Sequence, residues 1–405
     1  MSQGELKSSE ALANPLGWGM SSQAGGAVTR PSRDCQGLAG APGHGEHQEA
    51  KVARDVFSEY EFELGHAARV LCEEVLGLKP GETIVMTCDT ESDARVIMAT
   101  GRAALELGAK PVVLLTASPL GVGKAADAML PVDVLSGCLK ETDVWVEFNN
   151  KWLLYSTPYE RVMEANQRIR YMCLVGMNVD MMVRTIGRVD HKLLREFMER
   201  IRAMTKAARK MRVTTPAGTD VEFENVPGNP MSCDMGSAGV PGVHFLSGQI
   251  GWCPDFSSIN GRIVFDGSIS PPVGKVSQPV TLHVRGGRVE RIEGGAEAQE
   301  FLAWLKALED DNMFRLAHIC YGFNPNARLT GNVLEDERVW GCTEWGMGYQ
   351  SAEDAPPDGI MAKSHTDGIC LNSSVWLDGV QLLDKGEVVH PGVAPLAWAV
   401  LGRGQ

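Results

Sequence analysis

Short apolar runs alternate with amphipathic segments through the first half of the chain. The segment 91–108 has apolar residues at helical spacing and ends at Gly108, which indicates a helix with a glycine C-cap. Four short runs rich in Val, Ile and Leu indicate buried strands, at 83–88, 110–116, 143–148 and 170–176. Because strands that alternate with helices are typical of parallel sheets, we expect an α/β N-terminal domain with a mostly parallel sheet over residues 52–190.

The second half of the chain has a β-rich pattern. A long amphipathic segment, 190–211, is predicted to form a helix that leads into this half. Alternating apolar and polar residues follow, separated by turns that contain Gly and Pro, and the helical pattern at 297–308 interrupts them. We therefore expect a β-rich α+β C-terminal domain over residues 191–405.

The first residues of the chain have a different composition. Residues 1–51 are rich in Gly, Ala, Ser and Gln and show little apolar periodicity, so they are predicted to be a disordered N-terminal extension. The His-Gly-Glu-His segment at 44–47 is interpreted as a solvated loop rather than a metal motif.

Composition and charge exclude several classes of function. The 405 residues carry a net charge of −13, which argues against nucleic-acid or anionic-membrane partners. The chain contains no apolar run long enough to span a bilayer, and its first residues do not resemble a secretory signal. The ten cysteines are scattered singly and form no Cys-x-x-Cys motif, so we expect reduced thiols and a cytoplasmic location.

Two motifs for common enzyme classes are weak or missing. Residues 121–126, Gly-Val-Gly-Lys-Ala-Ala, fit a dinucleotide-binding turn but follow the second predicted strand instead of the first. We interpret them as an ordinary loop and expect no nucleotide cofactor. A Gly-x-Ser-x-Gly motif does not occur, so the sequence does not support a serine hydrolase.

Metal-ligating residue types cluster in the C-terminal half. His318, Glu344, His365 and Asp367 all lie in β-like segments that contain glycine. His365 and Asp367 are two residues apart, so on a strand they point to the same face. Each alone could be a core histidine or a turn aspartate, but together they favour a metal site. Two imidazoles and one carboxylate match the ligand set of non-haem Fe(II), although a zinc or cobalt hydrolase could use similar ligands.

From about residue 55 onward, the chain resembles the thermophilic aminopeptidase (aminopeptidase T) family. The most specific stretches are 248–269 (GQIGWCPDFSSINGRIVFDGSI), 323–337 (FNPNARLTGNVLEDE) and the His-Thr-Asp-Gly segment at 365–368. This resemblance implies an α/β N-terminal domain and a C-terminal domain with a two-metal site.

The chain departs from that family at the metal ligands. The resemblance places Gln249 and His318 where the peptidases have Glu ligands, and Glu344 where they have His, so only His365 and Asp367 match. A neutral amide is a poor ligand for a hard dication, which disfavours a two-metal centre.

The altered set resembles the 2,5-dihydroxypyridine 5,6-dioxygenases, a branch of the same fold. That resemblance implies one Fe(II) held by His318, His365 and Asp367. It also implies O₂ and an aromatic small molecule as partners, ring opening to N-formylmaleamate in the breakdown of nicotinate or nicotine, and a homo-oligomer.

Two residues are candidates for the base that deprotonates the ring hydroxyl. His244 lies just before the segment that carries Gln249, although a surface histidine is an equally good interpretation. Glu344 is the other candidate, and we favour a role for it as an acceptor for the N–H of a ligand imidazole. A metallopeptidase and a non-catalytic binding protein stay open as alternative functions.

Overall fold

The computed structural model describes residues 60–403, and the structural statements below concern this part of the chain. The N-terminal extension predicted at 1–51, with its segment 44–47, lies outside the described residues.

The described residues form helices, strands and short helical turns along the whole range. The strands are β1 Thr83–Asp89, β2 Lys110–Thr116, β3 Val144–Glu147, β4 Arg170–Cys173, β5 Lys210–Thr214, β6 Asp220–Glu224, β7 Met231–Asp234, β8 Gly242–Phe245, β9 Gln249–Trp252, β10 Asn260–Phe265, β11 Ser268–Ser270, β12 Gly274–Lys275, β13 Val280–Arg285, β14 Arg288–Glu293, β15 Leu316–Gly322, β16 Thr343–Gln350, β17 Ile360–Cys370, β18 Ser374–Leu377, β19 Val380–Asp384 and β20 Glu387–Val388. The α-helices are α1 Glu61–Val70, α2 Ala94–Glu106, α3 Val132–Leu139, α4 Thr157–Ala165, α5 Val179–Met182, α6 His191–Ala207, α7 Ala296–Ala307, α8 Val333–Asp336 and α9 Ala394–Val400. Short 3₁₀ or π turns lie at Leu71–Val75, Gly123–Met129, Val183–Gly187, Phe256–Ser258 and Asp311–Phe314.

Sheet A contains five parallel strands in the order β2-β1-β3-β4-β8. Strands β3 and β4 are buried along their whole length, as expected for strands covered on both faces. The connecting helices begin at side-chain caps: Asp93, for example, accepts a hydrogen bond from the backbone N–H of Arg95 at 3.1 Å. The parallel α/β arrangement predicted for the first part of the chain is confirmed.

Sheets B and C are antiparallel and make up the β-rich part. Sheet B has the strand order β14-β13-β10-β6-β5-β18-β19-β20, and sheet C has the order β12-β11-β17-β16-β15-β9-β7. Strand β8 of sheet A lies in the sequence between β7 and β9 of sheet C, so the chain returns to the parallel sheet once. The β-rich α+β class is confirmed, and the domain division at residue 190 stays a prediction.

One face of sheet C covers a core, and this fixes which side chains lie on the other face. Ile319, Tyr321 and Trp345 are fully buried in a core that also includes residues of sheet B and of helices α6, α7 and α9. Because side chains alternate along a strand, the neighbours of these residues lie on the opposite face of sheet C.

Among residues 60–403, no helix combines the length and the apolar character of a membrane span.

Candidate metal centre

Strand register brings the predicted ligands together on that opposite face. On β15 and β16, His318 is opposite Gly346, and on β16 and β17 Gly346 is opposite Asp367. His365 lies two residues before Asp367 on the same strand, opposite Gly348. Gly346 is therefore the residue that lies between His318 and Asp367 across the sheet, and His365 lies beside the next glycine along β16 on the same face.

Gly346 provides the space for the His318 ring. A Cβ at this position would lie 2.4 Å from Cε1 and 2.6 Å from Nε2 of His318, much closer than van der Waals contact allows. The absence of a side chain lets the imidazole lie across the central strand toward Asp367.

The donor atoms of these three side chains converge. Nε2 of His365 lies 2.8 Å from Oδ1 of Asp367, and Nε2 of His318 lies 3.4 Å from the same oxygen. The two rings stack with centroids 5.0 Å apart. Neighbouring ligands of one ion at roughly 2.1 Å are about 3.0 Å apart in octahedral and about 3.4 Å in tetrahedral geometry. The spacing fits a single ion.

The far nitrogen of each imidazole contacts an oxygen acceptor. Nδ1 of His318 lies 3.0 Å from Oε1 of Gln350, and Nδ1 of His365 lies 2.7 Å from the backbone carbonyl oxygen of Tyr349. When Nδ1 donates its proton to these oxygens, Nε2 presents its lone pair to the centre, as metal-bound imidazoles do. A lone pair that faces carboxylate oxygens needs a cation or a proton between them, so the donor set fits a metal ion.

Glu344 lies on the side of His318 that faces the other proposed ligands. Its Oε1 is 2.8 Å from Nε2 of His318, and the residue is fully buried. The acceptor role favoured from the sequence would place Glu344 at Nδ1, where the structure has Gln350.

Cys320 joins His318 and Glu344 in a second group of possible metal ligands, which the sequence interpretation missed. Cys320 follows His318 by two residues on a strand, and that spacing was a usable signal for a shared face. Burial, together with the Glu344 charge, raises the pKa of this thiol well above its ordinary value.

The electrostatics of the centre follow from burial and close charge pairs. Burial opposes the charge of His318, but the charge of Glu344 together with the contacts to Cys320 and Asp367 outweighs that effect and raises the pKa of the imidazole well above its ordinary value. Burial would also raise the pKa of Asp367, but the charges of His365 and His318 hold it well below its usual range. Burial raises the pKa of Glu344. Burial and the Asp367 charge raise the pKa of Glu337 to about 8.

Gln249 and Arg338 lie next to this centre. The Gln249 amide nitrogen donates to Oε2 of Glu337 at 3.1 Å and to Oε2 of Glu344 at 3.3 Å. Arg338 donates to the amide oxygen of Gln249 at 3.0 Å. The position that the sequence interpretation assigned to a lost ligand is therefore occupied by a hydrogen-bonded amide beside a guanidinium group.

His244 is not brought into the cluster. It lies on β8 in sheet A, and its Nε2 is 2.8 Å from the backbone carbonyl oxygen of Val240. Within residues 60–403, none of the hydrogen bonds or ion pairs given by the structure connects His244 to His318, His365 or Asp367.

The fold is shared with two solved structures. The 2,5-dihydroxypyridine dioxygenase from Pseudomonas putida KT2440 matches 82% of this chain and 98% of its own, with a TM-score of 0.67 and 20% identity. Wild-type AmpT from Thermus thermophilus matches 82% of this chain and 100% of its own, with a TM-score of 0.60 and 14% identity. These matches define the fold class, which is aminopeptidase T-like. In this chain the antiparallel sheet C of that fold carries the clustered imidazoles and carboxylates.

Sequence comparison identifies the family within that class. A family model described as 2,5-dihydroxypyridine 5,6-dioxygenase matches residues 70–390. The curated 2,5-dihydroxypyridine 5,6-dioxygenase of P. putida KT2440 is 26% identical over 323 residues, which cover 74% of this chain and 89% of that protein. The chain belongs to the 2,5-dihydroxypyridine 5,6-dioxygenase family. It is a dioxygenase, whose partners are a small molecule and O₂, and its relation to the aminopeptidase is one of fold.

Proposed function

We propose that the chain is an Fe(II)-dependent dioxygenase that opens the ring of a dihydroxypyridine, with His318, His365 and Asp367 as the iron ligands. The substrate that the family favours is 2,5-dihydroxypyridine, and the product is N-formylmaleamate. In this reaction the C5–C6 bond breaks and both atoms of O₂ enter the product.

The observation that carries this proposal is the convergence of two Nε2 atoms on one carboxylate oxygen, with Nδ1 of each ring held by another oxygen. Two imidazoles and a carboxylate on one face leave coordination positions open, which is the arrangement of non-haem Fe(II) oxygenases. A bound ferrous ion would supply those positions and the redox chemistry that ring opening by O₂ requires.

Glu344 is the side chain that we propose to accept the ring hydroxyl proton. It is a carboxylate beside the ligand nitrogen of His318, and it is buried away from water. A hydroxyl bound at this centre would lie within reach of its oxygen, as a general base requires. Positioned bases of this kind contribute about 10²- to 10⁴-fold to a rate.

Gln249 argues against the two-metal peptidase. Its amide oxygen accepts a hydrogen bond from Arg338, and its amide nitrogen donates to Glu337 and Glu344. The guanidinium group of Arg338 also brings a fixed positive charge to the place that a second dication would need. A peptidase reaction on this chain would lack the bridged metal pair.

The test is anaerobic purification with Fe(II), metal quantification and O₂ consumption with 2,5-dihydroxypyridine. We expect one iron per chain and O₂ uptake equal to the substrate consumed. His318→Ala should lose both iron and turnover, whereas His283→Ala, which changes a half-buried histidine of β13 in sheet B, should keep both. Full iron content and turnover in His318→Ala would contradict the ligand assignment. Two zinc or cobalt ions per chain with peptide hydrolysis would favour the peptidase instead.

A further inference from the structure

We infer that Arg338 is a positioning residue for the dioxygenase reaction: through the amide of Gln249 it fixes the Glu344 carboxylate at the metal centre. This inference rests on the proposed function and deepens it.

Arg338 is itself held in one place by the backbone. The residue is 1% exposed, its Nε donates to the carbonyl oxygen of Leu246 at 2.6 Å, and its Nη1 donates to the carbonyl oxygen of Leu334 at 2.8 Å. These carbonyls belong to two segments far apart in the sequence, the one between β8 and β9 and helix α8. The guanidinium plane therefore has little freedom to rotate.

The remaining donors of Arg338 are directed at three acceptors. Nη1 donates to Oε2 of Glu337 at 3.0 Å, and Nη2 donates to Oδ2 of Asp234 at 3.3 Å and to Oε1 of Gln249 at 3.0 Å. A guanidinium group has five N–H donors, and all of them are used here. Lysine has fewer donors and no planar fork, so it cannot serve the same acceptors.

The contact with Arg338 decides which way the Gln249 amide points. Arginine can only donate, so the amide oxygen must face it and the amide NH₂ must face away. The NH₂ group then donates to Oε2 of Glu337 and Oε2 of Glu344. A flipped amide would place its oxygen against two carboxylates and its NH₂ against a cation.

Glu344 receives its orientation at the end of this chain of contacts. With Oε2 bonded to Gln249, the other oxygen, Oε1, faces Nε2 of His318 at 2.8 Å. Neither Arg338 nor Gln249 donates to His318, His365 or Asp367, so both act on the centre only through carboxylates.

The experiment is a double-mutant cycle between Arg338→Lys and Glu344→Gln. We expect Arg338→Lys alone to lower kcat by about 10²-fold, the scale of a displaced proton acceptor. In the Glu344→Gln background it should lower kcat by less than about 3-fold, because residues that act as a unit are not additive. Equal losses in both backgrounds would overturn the inference.

Gln249→Met provides a second variant, since it removes the amide that connects Arg338 to Glu344 and leaves the other four hydrogen bonds of Arg338 in place. It should show the same dependence on Glu344. The matched control is Arg170→Lys, another buried arginine, which donates to a backbone carbonyl and to Glu82 in sheet A and should leave kcat unchanged.

The visible absorption spectrum of the Co(II)-substituted protein gives a readout that does not depend on turnover. Arg338→Lys and Gln249→Met should change the Co(II) bands, and Arg170→Lys should not. In the Glu344→Gln background, neither Arg338→Lys nor Gln249→Met should change the bands further. Bands identical to those of the unaltered protein in both Arg338→Lys and Gln249→Met would refute the positioning role. If the unaltered iron protein fails to consume any dihydroxypyridine, the proposed function fails, and the Co(II) spectra still decide the role of Arg338.

Discussion

Gly346 lies at the middle of the centre, and the imidazole of His318 occupies the space beside its Cα. A second glycine on this sheet makes room for a side chain in the same way: a Cβ on Gly251 of β9 would lie 2.7 Å from Sγ of Cys320 on β15. Glycines on this face allow large polar side chains to lie flat against the sheet and converge.

Replacement of Gly346 by alanine is therefore expected to move the His318 ring and weaken metal binding by about 10- to 100-fold, the scale seen when ligand orientation is disturbed. Fe(II) or Co(II) titration of the metal-free protein measures this loss. Gly137→Ala on helix α3 is the control, since a Cβ there meets no atom within 4 Å. Equal metal affinity in Gly346→Ala and the control would show that the ring has room to spare.

Two of the proposed ligands follow a rule that is local to one strand. His365 and Asp367 share a strand face by alternation alone, whereas His318 lies on a different strand and was proposed from its residue type and its glycine-containing β segment, before the family resemblance assigned it. The Arg338–Gln249 contact joins residues 89 positions apart, on a turn and on a strand. No periodicity connects them, since their meeting depends on how β9 pairs with β15 in sheet C.

Strand β3 ends in a buried carboxylate at the carboxyl edge of the parallel sheet. Glu147 is fully buried and accepts hydrogen bonds from the Tyr171 hydroxyl and the backbone N–H of Leu153. Burial outweighs these bonds and raises the pKa of Glu147 from 4.5 to about 7.

This shift predicts a pH dependence of folding stability. The folded state holds the Glu147 proton more tightly than the unfolded state does, so the contribution is fully present below pH 4.5 and is lost as the pH rises to about 7. The loss is about 3 kcal/mol. Glu147→Gln should remove this part of the dependence, as measured by urea unfolding at pH 5 and pH 8. Exposed Glu164→Gln is the control, and a matching pH dependence in both variants would contradict the assignment.

The positions of strands along the chain were more predictable than the order in which the strands pair. The run 110–116 is correctly predicted as a strand, because its β-branched and apolar residues follow the glycine that ends the preceding helix. Its position at the edge of sheet A was not predictable, since strand order depends on contacts between distant parts of the chain. The same limit applies to β8, which joins sheet A from the second half of the sequence.

Strand β2 leaves an apolar edge on the described part of the molecule. Within residues 60–403 it pairs only with β1, and Val113 and Leu115 are 45% and 65% exposed. The backbone N–H of Lys110 donates to the carbonyl oxygen of Glu82, on the side of β2 that faces β1. Because backbone N–H groups alternate in direction along a strand, those of Val113 and Leu115 point away from β1. Arg102 and Glu106, which have opposite charges, are exposed on helix α2, next to β2. A second copy related by a two-fold axis would present the same two charges in reverse order.

The homo-oligomer expected from the sequence stays a prediction, and we expect a second copy to cover this edge. Leu115→Lys should lower the mass measured by light scattering after gel filtration to that of one chain, with kcat unchanged, because a charge on an edge strand opposes pairing. Val380→Lys, at the exposed first residue of β19, is the control. A monomeric unaltered protein, or an unchanged mass in Leu115→Lys, would exclude β2 as the interface.

The two proposed imidazole ligands differ in what substitution can change. Nδ1 of His365 contacts a backbone carbonyl oxygen, which every residue at position 349 would provide, whereas Nδ1 of His318 contacts the side-chain oxygen of Gln350. Point mutation can therefore alter the electron-donating strength of one ligand and leave the other constant. Position 350 is a place where evolution, or a protein engineer, can adjust the reactivity of a metal at this centre without removing a ligand.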